Sequence, residues 1–358
     1  MGKTDQLLEV RAGPLALQHI RENGLRPEHV AGVAGAAGGP KWLVLHHLDR
    51  LLFSHWLPQA TRPRYLIGSS IATWRFAMAS QEDPDAAYER FAHTYIHEQR
   101  YSQRPTPAEV SSEAKRLVDV LLGETGTQEI LANPWFQLQV MAVRCRGLLQ
   151  REGKALLAGL ALTGASNLVS RRGLALTLER ALFTHPASVG PLPDISGFRV
   201  RHFPLREDNL RSALLASGSI PMVMEPERHI PGAEPGVYRD GGLIDYQMAL
   251  DYGGTGGLVL FPHYENRIVP GWFDKTLPWR RARRGSVDQV VLVAPSRAFV
   301  EALPNGRIPD RKDFYRYAGD DAGRARDWLA VSNATRRLAD TFHEACESGR
   351  IRHLVKPL

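Results

Sequence analysis

Short runs of small and apolar residues alternate along this chain with longer stretches whose apolar positions recur every three to four residues. Residues 29–36, HVAGVAGA, lie just before Gly38, Gly39 and Pro40, and predict a buried strand. Residues 41–56, KWLVLHHLDRLLFSHW, carry apolar side chains at helical spacing, with Pro40 suited to a first helical turn. Residues 64–68 and 71–80 repeat the order, strand then helix, and residues 84–132 predict two or three amphipathic helices. A strand over 137–145 follows, then a helix-rich stretch to about residue 182. Residues 198–205, 257–261 and 288–295 predict further strands, and 324–347 one long helix. Strands alternating with helices imply an α/β fold: a three-layer α/β/α sandwich around a mostly parallel sheet.

Composition narrows this reading. The chain has 358 residues, 43% of them aliphatic or aromatic, and no repeat or low-complexity tract, as in an ordinary globular protein. Nothing linker-like divides it, so residues 1–358 are expected to form one domain. Residues 186–193 and 226–236 then read as loops within it. Two cysteines, Cys145 and Cys346, exclude a disulfide framework and a four-cysteine zinc site. The first residues carry no secretory pattern, and Gln6 breaks a myristoylation pattern. The longest apolar stretch, 155–165, has 11 residues, against about 20 for a membrane span. A soluble, cytoplasmic protein is expected.

Lys and Arg exceed Asp and Glu by 7, and part of the surplus is local. Arg280, Arg281, Arg283 and Arg284 follow Trp272, Phe273 and Trp279. Basic residues beside interfacial aromatics suit an anionic membrane surface, and equally a solvated loop.

Three loops could carry chemistry. The first, AGAAGGPK over 34–41, joins the first strand to the first helix and offers backbone N–H groups at a helix N-terminus. Such a loop binds phosphate or stabilises an oxyanion. Lys41 lacks the following Ser or Thr of a phosphate-binding Walker loop. Gly32, Gly35 and Gly38 are spaced GxxGxxG rather than as a dinucleotide fingerprint. The second, GSSIA over 68–72, centres Ser70 on a strand-to-helix turn between Gly68 and Ala72, the layout of a nucleophile elbow. The third, YRDGGLIDY over 238–246, sets Asp240 at a strand end before Gly241 and Gly242. Each loop alone also suits an ordinary tight turn.

Together the three resemble the patatin-like phospholipase family across about residues 29–250. The family's Gly-rich oxyanion loop ending in a basic residue is matched by Gly38, Gly39 and Lys41. Its Gly-x-Ser-x-Gly elbow is matched by Gly68 to Ala72, and its Asp-Gly-Gly by Asp240, Gly241 and Gly242. The stretch from Ala216 to Pro221 is similar to the one preceding the family's aspartate. Departures are Ala72 for the last elbow glycine, Trp42 for an oxyanion-loop glycine, and Tyr246 and Met248 for Asn and Pro. Those at 42, 246 and 248 border the site, so the resemblance reaches mechanism better than substrate.

The resemblance implies a patatin-like fold with a helical insert at about 84–132 and a C-terminal extension at about 251–358. It implies a lipid acyl hydrolase of phospholipase A type, with lipid or another acyl ester as substrate. Ser70 would be the nucleophile and Asp240 its base, within hydrogen-bond reach of each other. Gly38 and Gly39 would form the oxyanion hole, with Lys41, Gly68, Ala72, Gly241 and Gly242 in support. No metal or organic cofactor is expected, and no specific nucleic-acid partner.

Three alternatives stay open: an α/β-hydrolase triad completed by His343 or His353, a catalytically silent lipid- or partner-binding protein, and nucleotide binding at the glycine loop. His93 and His97, one helical turn apart beside Glu98, could begin a metal site but show no third ligand. His46, His47 and His55 read as packing residues of the first helix.

Overall fold

Apolar runs that are buried from end to end have no face for solvent, and such runs make the centre of the sheet. The computed structural model describes residues 7–188, 190–283 and 285–358. The strands are β1 (Leu8–Ala12), β2 (Val30–Gly35), β3 (Arg64–Ser69), β4 (Phe136–Cys145) and β5 (Leu178–Thr184), then β6 (Val200–Pro204), β7 (Val237–Asp240), β8 (Leu258–Pro262), β9 (Val290–Pro295) and β10 (Lys356–Pro357). They form one sheet in the order β10-β1-β9-β8-β2-β3-β4-β5-β6, with β7 also paired to β4. From β9 through β8, β2 and β3 to β4 every pairing is parallel. Antiparallel pairs occur where β1 meets β9 and where β4 meets β5 and β7. This mixed α/β fold is compatible with the expected three-layer arrangement. The last hundred residues are integral to the sheet, since β8 lies directly against β2.

Three expected elements differ. Residues 39–56 wind first as a 3-10 helix (Gly39–Leu45), then an α-turn (His46–Arg50), then a π-turn (Leu51–Trp56). The helix-rich stretch ends before β5, a strand whose sequence, LERALFT, hides its apolar character behind Glu179 and Arg180. Both charges are neutralised by distant residues. Glu179 is buried among Arg144, Arg146, Arg199 and Arg201 at 2.9–3.7 Å, and Arg180 grips Asp245 through two bonds of 2.7 and 2.8 Å. The expected single helix over 324–347 is two, Asp321–Ala334 and Arg336–Glu347. They break at Thr335, whose amide and hydroxyl both donate to the Ser332 carbonyl, at 3.0 and 2.7 Å.

Residues 84–132 hold three helices, Pro84–His97, Pro107–Leu122 and Gly126–Ala132. Among the described residues no helix is long and apolar enough to cross a membrane.

The helix Ile71–Ala79, which starts at Ser70, is tied to its neighbour by a fully buried ion pair. Arg75 donates two hydrogen bonds to Asp49, at 2.6 and 2.7 Å, and neither side chain is more than 1% exposed. Removing one partner strands the other charge away from water. Asp49→Asn is therefore expected to cost about 3–5 kcal/mol in a urea melt. An unchanged midpoint would show that the pair does not hold this helix.

Candidate active site

The register of β4 brings two distant loops together. β3 runs parallel to β4 and pairs with it as far as Ser69 opposite Met141. β7 runs antiparallel and takes up the next rung, Asp240 opposite Ala142. β5 occupies the other edge of β4 over the same rungs, so β3 and β7 lie on one edge and meet end to end. Ser70 and Asp240, 170 residues apart in sequence, thus stand at the junction.

Ser70 has φ 57° and ψ −133°, a conformation rarely adopted by a residue with a side chain. Its surroundings hold it there. The Ser70 amide donates to the Ser217 hydroxyl at 2.9 Å, and Ser217 donates to the Met141 carbonyl at 2.7 Å. The Ser70 carbonyl accepts from both the amide and hydroxyl of Thr73. Ser69 points elsewhere: it is fully buried and donates to the Asp245 carbonyl at 2.7 Å. The elbow is also tight. A Cβ on Gly68 would lie 2.8 Å from that of Ala72, and one on Gly35 would lie 2.6 Å from it. Glycines on two strands make room for the one methyl group that the turn carries.

Asp240 is buried, and its Oδ1 accepts the Gly242 amide at 2.7 Å. Gly241 has no space for a side chain, since a Cβ would sit 2.2 Å from the Met141 carbonyl oxygen. Burial pushes the Asp240 carboxyl above the usual range. A hydrogen bond from the Ser70 hydroxyl, the Gly242 amide and the charges of Arg311 and Lys275 offset part of that shift.

The glycine loop faces the same junction. The Ala37 amide donates to the Tyr246 carbonyl at 2.8 Å, and the Tyr264 hydroxyl donates to the Ala37 carbonyl. Ala37 comes within 3.2 Å of where a Gly242 Cβ would be. The amides of Gly38 and Gly39 meet no protein acceptor among the described residues. Gly39, at φ 55°, turns the chain into the 3-10 helix. Lys41 stands at this loop with its ammonium 3.1 Å from Glu265 and over the Tyr264 ring.

A cavity of about 770 Å³ opens on all of these groups: Ser70, Asp240, Gly38, Gly39, Lys41 and Gly242 line it. Most of the remaining wall is apolar, from Trp74 and Leu117 to Ile220 and Met224. Gly68, Ala72 and Gly241 do not reach it and act through packing. Of the departures from the family motif, Tyr246 lines the cavity, whereas Trp42 is buried against Phe91 and Tyr95 and Met248 is buried too.

No histidine among the described residues lines the cavity. His343 lies on Arg336–Glu347, and His353 is exposed near the C-terminal end. The His93 and His97 rings lie 5.1 Å apart, tilted by 40°, with Glu98 3.6 Å from His93. The described residues contain no group of three or more His, Cys, Asp or Glu placed to hold a metal ion. Of the basic segment, Trp279 and Arg281 are exposed and Arg280 is tied down, donating to the Asn167 carbonyl at 2.6 Å. Arg283 is exposed, and Arg284 lies outside the described residues.

Sequence reasoning did not single out Ser217, Tyr264, Lys275 or Arg311. Ser217 sits inside the small-residue stretch already noted before Asp240. The others carry no local signal, because only the sheet order brings the C-terminal hundred residues to the cavity. Neither protein-family models nor curated proteins nor solved structures give a match to this chain.

Proposed function

We propose that the chain is a serine acyl-ester hydrolase, a lipid acyl hydrolase of phospholipase A type on a patatin-like fold. The observation that carries this reading is the end-to-end meeting of β3 and β7, which sets Ser70 and Asp240 in one largely apolar cavity beside unpaired glycine amides. An apolar cavity of this size suits an acyl chain.

In the proposed reaction the Ser70 hydroxyl attacks the ester carbonyl while Asp240 takes its proton. The tetrahedral oxyanion forms beside the Gly38 and Gly39 amides, each donor contributing about 3–4 kcal/mol. Collapse expels the alcohol, which regains the proton from Asp240, and leaves an acyl-Ser70. Asp240 then deprotonates water, which attacks the acyl group; collapse frees the acid, and the departing Ser70 oxygen takes the proton back from Asp240.

A long-chain p-nitrophenyl ester assay, paired with fluorophosphonate labelling, tests the reading. Turnover together with labelling is expected, and the absence of both would favour a silent binding protein. That no histidine among the described residues lines the cavity favours a dyad over a triad. His343→Ala and His353→Ala are expected to keep turnover within about twofold of wild type, whereas loss of a triad histidine costs orders of magnitude. A collapse of turnover in either variant, with the fold retained, would favour the triad.

A further inference from the structure

The helix Gly153–Val169 is built inside out. Its buried positions are Leu156, Gly159, Thr163 and Asn167. The two polar ones are engaged inward: Thr163 meets the Thr177 hydroxyl at 2.9 Å and Asn167 donates to Asp274 at 2.8 Å. Outward, every exposed position after the first turn is Leu, Ala or Val. Leu157 is 58% exposed, Leu162 62%, Leu168 59% and Val169 89%, and Leu176 just beyond the helix is 75% exposed. A helix face turned to water is ordinarily polar, and an exposed apolar stripe about 18 Å long marks an interaction surface.

The charge around this stripe is mostly positive, since Glu152 at the helix start is committed to Arg239 and Arg228 at 2.7 and 3.3 Å. Residues 153–178 contain Lys154, Arg171 and Arg172 and no carboxylate. Arg171 is committed to Asp274 at 2.9 Å. Lys154, Arg172 and Arg281 form no ion pair among the described residues, and all three are exposed. Arg280, bonded to the Asn167 carbonyl, brings Trp279 and Arg281 beside the C-terminal part of the helix. Trp279 is itself 67% exposed.

We infer that the outward face of Gly153–Val169, with Trp279 and its flanking unpaired cations, docks on an anionic lipid bilayer surface. Leucines sink into the acyl boundary while Lys154, Arg172 and Arg281 meet lipid phosphates, the division of labour of an interfacial helix. A second copy of the chain is a poorer occupant, because a self-pairing would set these cations against each other. The opposite, inward side of this helix adjoins the cavity wall. Trp272 and Lys275 line the cavity. Between them, Phe273 packs 3.5 Å from the place a Gly164 Cβ would take, and Asp274 holds Asn167. A lipid surface on the outward face therefore lies one helix away from the residues that line the site.

The test is flotation of the full chain with vesicles of phosphatidylcholine, with and without about one third phosphatidylglycerol. Wild type is expected to float with the anionic vesicles. Binding should fall about tenfold in pure phosphatidylcholine or when salt rises from about 0.1 to about 1 M, which shortens screening from about 10 to about 3 Å. The double variant Leu157→Glu/Leu162→Glu should lose binding about tenfold or more with an unchanged melting temperature, because both sites face outward. Arg172→Glu/Arg281→Glu leaves the leucines in place and should weaken binding to anionic vesicles alone, which keeps the test decisive if the first variant fails to fold. Ser70→Ala should bind as wild type, so docking and catalysis fail or succeed separately. Wild type that never floats, or a glutamate variant that floats like wild type, would overturn the inference. So would a dimer in light scattering that Leu157→Glu/Leu162→Glu dissociates, which would assign the face to a second copy.

Discussion

Ser70→Ala is expected to abolish fluorophosphonate labelling and to lower ester turnover by about 10⁴-fold or more, as loss of the nucleophile does in related chemistry. The expectation rests on where the two adjacent serines point. Ser69 is sealed in the sheet with its hydroxyl on the Asp245 carbonyl, while Ser70 lines the cavity. Labelling that survives in Ser70→Ala and vanishes in Ser69→Ala would place the turn one residue earlier. The same substitution series reads the backbone strain. At φ 57° alanine is no better accommodated than serine, whereas glycine has no Cβ to clash. Ser70→Gly should therefore be inactive yet more stable than Ser70→Ala, by about 1 kcal/mol or more. Equal melting midpoints for the two variants would mean that the elbow carries no strain.

The sequence made much of this site legible because its parts sit in short local patterns. Small apolar runs marked β2 and β3, and the glycine, serine and Asp-Gly-Gly turns mark where strands end. What it did not carry is long-range. Nothing near Thr335 announces a helix break, since no proline or glycine is there and the cause is a hydroxyl bonded back to Ser332. Strand β5 was masked by Glu179 and Arg180, charges that read as solvent-facing until their buried partners are known. β1 pairs antiparallel with β9, nearly 300 residues away, and no local pattern specifies that partner. Arg311 and Lys275 reach the cavity only because β8 and β9 extend the sheet beside β2. The apolar run at 155–165 is visible in the sequence, but its inverted orientation is not, because a helix that is apolar nearly all round does not say which side the fold covers.

Asp240→Asn is expected to reduce turnover by several orders of magnitude while leaving the fold intact, because an amide cannot take the serine proton. The Asn oxygen can still accept from the Gly242 amide, so the turn keeps its hydrogen bond. Two pH effects follow from burial having raised this carboxyl above its ordinary value. The base works ionised, so kcat/KM should fall as pH drops through the raised value, at a higher pH than an ordinary aspartate would show. Stability runs the other way. A folded-state pKa above the unfolded one means that the native protein holds its proton more tightly. That contribution is fully present below the unfolded pKa and is lost as pH rises through the folded one. At neutral pH the ionised Asp240 is thus a cost to the fold, and Asp240→Asn should melt at or above the wild-type temperature there, with the advantage shrinking on acidification. An Asp240→Asn protein that is both active and less stable at neutral pH would remove Asp240 as the base and show its carboxylate to be a structural anchor instead.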